Sequence, residues 1–180
     1  MPRAARLLGL MLLMAAAPAV PQDYLAPPEP ERVWLAAHNI AREEVGLAPL
    51  QWNAALARDA GDWASHLAQR RTLGHAPHDV RKGQGENLWR GSRDRYSPWQ
   101  MIALFVAEKR DFRPGTFPDV SRTGRWSDVG HYTQIIWPTT QEVGCATALN
   151  RNDEVLVCRY WPAGNVMGTR LDPADRLTRR

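Results

Sequence analysis

Hydrophobic positions along the 180-residue chain recur first at helical and later at strand spacing. Trp34, Ala37, His38, Ala41 and Val45 fall at i, i+3, i+4, i+7 and i+11, one face of a helix that Gly46 stops. Asn53 has the chemistry of an N-cap, and Leu56, Ala60, Trp63, Ala64 and Leu67 form one stripe behind it. Ser97 and Pro98 open a third helix through Trp99, Ile102, Ala103 and Val106. Met101, Leu104 and Phe105 add a second apolar face, so this helix is expected to be buried on most of its circumference. Strands are short and mostly late, at 87–89, 143–149 and 155–161. The last two are joined by the turn formers of 150–153 and read as an antiparallel hairpin. Helices, an intervening strand and then a hairpin argue an α+β sandwich rather than a βαβ array.

The first 19 residues have the layout of an export signal: Arg3 and Arg6, an apolar run from Leu7 to Ala17, and the small-residue site Ala17-Pro18-Ala19. That run is shorter than the roughly 20 residues that span a bilayer, and no Cys follows it to carry a lipid, so no stable membrane anchor is expected once the signal is removed. Residues 20–30 form a Pro-rich spacer, the domain is expected over 31–168, and 169–180 is a charged tail. The product is expected to be secreted, outside the cell or in the periplasm. In an exported chain, Cys145 and Cys158 on opposite hairpin arms read as a structural disulfide, and closing such a loop contributes about 3 kcal/mol.

Composition narrows the function classes. Hydrophobic residues at 44% and charged ones at 23% exclude a disordered chain, while 23 basic against 19 acidic residues give +4. Losing Arg3 and Arg6 with the signal leaves 21 against 19, and the arginines alternate with acids rather than forming a block. This predicts a solvated mixed surface and no nucleic-acid partner. Without a G-x-S-x-G elbow, an H-E-x-x-H helix or a phosphate loop, the chemistry falls to five His and the carboxylates. His38 shares a stripe with Trp34 and reads as a satisfied core histidine; His66 reads as partly exposed. Glu108 is different, because positions three, four and seven before it are Phe105, Leu104 and Met101. Glu86 precedes the strand-like Asn87-Leu88-Trp89, and His131 leads into a run with few charges. Buried carboxylates need partners, so two acids and a His in apolar surroundings point to one shared polar site.

Five segments carry a resemblance: His38-Asn39 with Arg42, Pro49 to Asn53, Gly85-Glu86-Asn87-Leu88-Trp89, Gly130-His131-Tyr132-Thr133-Gln134 with Ile135 to Trp137, and Val157 to Asn165. In this order they resemble the signatures of the CAP superfamily (SCP domain), which unites cysteine-rich secretory proteins, antigen five and plant pathogenesis-related proteins. The resemblance implies a three-layer α-β-α sandwich around a small central antiparallel sheet, and a cleft lined by two His and two Glu. By position these are His131, Glu86, Glu108 and an upstream His, for which His75 fits the family context better and His78 lies nearer to Glu86. The stretch from His75 to Glu86 is longer than in many relatives.

Three readings of that set stay open. Two imidazoles and two carboxylates can hold a divalent ion, with His75 and His131 suiting zinc and the carboxylates tolerating magnesium or calcium. The same groups can serve as acid and base in a metal-assisted peptidase or esterase, with Glu86, Glu108 and His131 the catalytic candidates. They can also form a polar knot inside a non-catalytic extracellular module that presents its loops to a protein partner. A lipid-like ligand is a further expectation from the resemblance, because the loop 110–128 carries Phe112, Phe117 and Trp126 among four Arg. A monomer is expected.

Overall fold

The computed structural model of the chain describes Met1 and residues 30–172. Residues 2–19 of the expected signal, residues 20–29 of the spacer and the tail beyond residue 172 lie outside the described residues. Helix α1 (Pro30–Glu43) opens on a proline suited to a first turn and buries Trp34, Ala37, His38, Ala41 and Arg42. Gly46 ends this region at φ 67°, and Val45, expected on the helical stripe, sits just past the helix, half-buried. Strand β1 (Gln51–Trp52) leads to α2 (Ala54–Arg70), where the Asn53 side chain accepts from the amides of Ala55 and Leu56 at 2.8 and 3.2 Å. The short α3 (His78–Arg81) precedes β2 (Gly85–Ser92), and a Ser97–Gln100 capping box starts α4 (Pro98–Val106). After β3 (Gly115–Thr116) come α5 (Gly130–Ile135), the hairpin β4 (Glu142–Leu149) and β5 (Asp153–Trp161), and β6 (Arg170–Leu171), which pairs with β3.

The main sheet runs β1-β4-β5-β2, with β2 antiparallel to β5 and β5 antiparallel to β4. It is not wholly antiparallel as expected, because the two residues of β1 lie parallel to β4. Period-two alternation gives the sheet two buried faces. Val155 and Val157 join Leu88 against α2, whereas Leu156, Cys158 and Tyr160 join Trp89, Trp34, Ile102 and Tyr132 on the other side. This is an α-β-α sandwich. Contact with α2 is close enough that a Cβ on Gly144 would strike backbone atoms of Asn53, Leu56 and Ala57. Cys145 and Cys158 are cross-strand partners and form the disulfide.

Three expectations change. Helix α4 is not buried around its circumference: Met101, Ile102 and Phe105 are covered, but Trp99 and Leu104 are 44% and 48% exposed, because only one side of the helix meets α1 and α5. The arginines are not all on a solvated surface, since Arg42 and Arg159 are buried. Leu171, placed in the expected tail, is fully buried through the β3–β6 pairing, so the packed domain runs past Gly168.

Candidate functional site

Edge strand β2 organises the site. Its strand begins at Gly85, two residues earlier than the sequence pattern indicates, so Glu86 lies within the ladder directly opposite Arg159. The Glu86 side chain is fully buried, and its Oε1 accepts from the Ala76 amide at 3.0 Å and lies 2.7 Å from His75 Nδ1. Its Oε2 is 3.0 Å from Arg159 Nη2, a close charge contact that lacks aligned hydrogen-bond geometry. Arg159 also donates through Nη1 to Gln84 Oε1 at 3.3 Å. Burial pushes the Arg159 guanidinium below its usual range, with Glu86 and Asp59 opposing that shift and Arg81 adding to it. His75 itself follows the left-handed Arg71 that ends α2, on a segment pinned where the Trp63 indole donates to the Gly74 carbonyl at 3.0 Å.

The second His–Glu pair comes from the opposite layer. Glu108 sits in the 3-10 turn Ala107–Asp111 that continues α4, where its Oε2 accepts from the amides of His131 and Tyr132 at 2.9 and 3.1 Å. A carboxylate thereby caps the first turn of α5. Its Oε1 lies 2.5 Å from His131 Nδ1, and the His131 ring stacks on Phe105 with centroids 4.6 Å apart. Since a carboxylate accepts, Nδ1 of each histidine is the donor, and in the neutral ring that tautomer leaves the lone pair on Nε2.

His75, Glu86 and His131 line one cavity of about 390 Å³, whose walls include Arg81, Trp126 and Ser127. Glu108 is not on the wall; it holds His131 from behind. His78 is exposed at the start of α3 and also lies off the wall, so the upstream histidine at the cavity is His75. Sequence reasoning missed Arg81, which the long stretch between His75 and Glu86 brings to the cavity. Among the described residues, the one group of three metal-capable side chains whose ligand atoms lie within 4.8 Å of one another is His38 with Cys145 and Cys158, and there the disulfide removes both thiolates. The two His–Glu pairs at the cavity do not draw together that closely.

Residues 35–160 match the cysteine-rich secretory protein family, CAP. The chain belongs to the CAP family. Pathogenesis-related protein 1B of Nicotiana tabacum is 36% identical over 137 residues, spanning 75% of this chain and 76% of its own length. Pathogenesis-related leaf protein 4 of Solanum lycopersicum is 35% identical over 151 residues, 83% of this chain and 82% of its own. Among solved structures, NaASP2 with Zn²⁺ superposes with a TM-score of 0.65 at 23% identity, over 83% of this chain and 93% of its own. BmVAL-1 gives 0.66 at 22%, over 81% and 82%. Both share the fold.

In this CAP domain a buried polar chain links α1 to the cavity. His38 Nδ1 donates to the Trp34 carbonyl at 2.7 Å, so His38 Nε2 accepts from the Tyr160 hydroxyl at 2.8 Å. The Asn87 amide nitrogen donates both to that hydroxyl oxygen at 3.0 Å and to the His131 carbonyl at 3.1 Å. Burial lowers the His38 pKa to about 4, with Arg42 also lowering it and the Trp34 carbonyl opposing. A depressed histidine pKa stabilises the fold above the unfolded value near 6.5, and that stability is lost as pH falls toward 4, where the unfolded chain takes up the proton first. The expected loss from this group is about 3 kcal/mol over that window. Urea unfolding at pH 7 and pH 4.5 should show the drop in the parent and a smaller one in His38→Gln; equal drops would exclude His38 as the cause.

The loop aromatics are largely committed to packing. Phe117 is buried against Trp137 and Trp126, with centroids 5.8 and 5.3 Å apart, and Phe112 meets Tyr132 edge-on at 5.5 Å. Trp126 alone of the three reaches the cavity wall. Among the described residues no helix is long and apolar enough to cross a membrane.

Proposed function

We propose that this CAP domain is a secreted binding protein whose cavity takes a divalent cation or small ligand on Nε2 of His75 and His131. One observation carries the reading: two imidazoles from opposite layers line the same cavity, each with Nδ1 on a carboxylate, at 2.7 and 2.5 Å. A carboxylate on one ring nitrogen fixes the tautomer and the ring orientation, so that the other nitrogen is offered to a metal, as is common for histidine ligands. The donor set favours zinc over magnesium or calcium. Glu86 and Glu108 spend their oxygens on Nδ1, backbone amides and Arg159, so few hard oxygen ligands remain, whereas zinc accepts imidazole and completes its shell with water or ligand atoms. NaASP2, a protein of this fold, has a structure with Zn²⁺.

Binding is favoured over hydrolysis because both candidate carboxylates are already engaged, Glu86 by His75, the Ala76 amide and Arg159, and Glu108, off the wall, by His131 and two amides. Ser127, the one hydroxyl side chain on the described cavity wall, has no hydrogen bond to a histidine. The signal layout of residues 1–19 and the Cys145–Cys158 disulfide support secretion. Titration calorimetry with zinc should give heat with the parent and none with His75→Ala plus His131→Ala. An absence of heat from the parent overturns the metal reading.

A further inference from the structure

The polar groups around the cavity divide into those already committed and those still offered. Gln134 accepts from the Gly164 amide and donates to Thr140, at 3.0 and 3.3 Å. Asn165 accepts from Thr133 at 2.7 Å and donates to the Gly130 carbonyl at 2.9 Å. Gln84 donates to Asp59 at 2.6 Å while accepting from Arg159, and Asn87 spends both protons on Tyr160 and His131. The one carboxylate on the wall, Glu86, is held by His75, the Ala76 amide and Arg159, with its side chain fully buried. The wall therefore presents no uncommitted carboxylate to a ligand.

Arg81 is the opposite case. Its Nε donates to the Ala76 carbonyl at 2.9 Å, which fixes the half-buried side chain at the wall. Among the described residues no ion pair joins its guanidinium to an acid, and no hydrogen bond takes its terminal nitrogens. A pinned guanidinium with two free donor groups, facing a cavity that lacks an acid, is suited to a planar or tetrahedral oxyanion.

We propose that the cavity binds ligands through an oxyanion group, carboxylate or phosphate, anchored on Arg81 at the wall that His75 and His131 also line. This rests on the cavity being the binding site but does not depend on a metal. Arg81 selects the charged end of the ligand, and the indole of Trp126 borders the space left for its remainder. The anchor belongs to the long stretch between His75 and Glu86, so it is specific to chains that carry an arginine there.

The test uses chelator-treated protein and two probes, inorganic phosphate and succinate, titrated by calorimetry at low ionic strength. Binding of either probe by the parent is expected, and the stronger of the two identifies the oxyanion class. Arg81→Gln should weaken it at least about tenfold, as expected on losing a charged hydrogen bond. Arg81→Lys, which keeps the charge without the fork, should fall between them. Arg110→Gln, at an exposed position outside the cavity, should match the parent. Parent protein that binds neither probe, or equal affinity in Arg81→Gln and the parent, overturns the proposal. Zinc heat retained by Arg81→Gln separates failure of this anchor from failure of the metal reading.

Discussion

Replacing Arg42 by methionine should cost at least about 4 kcal/mol of folding stability, because it strips partners from several buried carbonyls at once. Arg42 Nε donates to Ala48 O at 2.8 Å, Nη1 to Ile135 O and Trp137 O at 2.8 and 2.9 Å, and Nη2 to Thr140 O at 3.1 Å. Each orphaned carbonyl carries a desolvation cost of about 1–3 kcal/mol, and methionine keeps the stem's volume, so the loss reports hydrogen bonding rather than a cavity. Against a typical total of about 5–15 kcal/mol, that takes a large share of the margin. Lysine should recover part of it, since an ammonium has three donors but no planar fork. Urea denaturation of the parent, Arg42→Met and Arg42→Lys gives the order directly. A loss below about 1 kcal/mol in Arg42→Met would refute the account. The consequence reaches the cavity, because Ile135 closes the helix that carries His131: a cation at the C-terminal end of α5 and the Glu108 carboxylate at its start hold that short helix from both ends.

The contrast between Arg42 and the amphipathic helices shows what a sequence can convey. Trp34, Ala37 and Ala41, or Leu56, Ala60 and Ala64, announce a buried face because burial of apolar groups is additive and local, and the 3.6-residue period displays it. Asn53 and Ser97 are equally readable, since a cap acts within three residues. Arg42 and Arg159 look like two more members of a charged surface, because what buries them is a set of carbonyls or a carboxylate on distant segments. Glu108 stands out from local pattern alone by its apolar neighbours, yet its role of capping α5 needs residues 23 and 24 positions away. Spacing and family resemblance together bring out His75, Glu86, Glu108 and His131. They do not reveal that the two carboxylates stand behind their imidazoles, one of them off the cavity wall, since that depends on the face of β2 that Glu86 takes and on how the turn carrying Glu108 packs against α5. Arg81 escapes notice because α3 lies outside the segments that carry the resemblance.

Glu86→Leu should destabilise the fold by about 3–5 kcal/mol, the cost of leaving Arg159 charged and buried without its counter-ion. Both side chains are fully buried, and the 3.0 Å contact lacks an aligned hydrogen bond, so the pair recovers little beyond its own desolvation. Arg159→Met should also be costly, because it leaves Glu86 with only His75 and the Ala76 amide as partners. Combining the two replaces a cross-strand ion pair with a cross-strand apolar pair, next to Leu88 and Val157 on the face that α2 covers. The double variant should therefore be much closer to the parent than the sum of the single losses, with a coupling of several kcal/mol. Additive losses, or a Glu86→Leu cost below about 1 kcal/mol, would show that the buried charge is already compensated elsewhere. The double variant then separates folding from function. It should remain folded while His75 has lost the carboxylate that fixes its Nδ1 proton, so zinc heat should fall even though both imidazoles are present. Unchanged zinc binding in a folded double variant would mean that Glu86 serves the sheet alone.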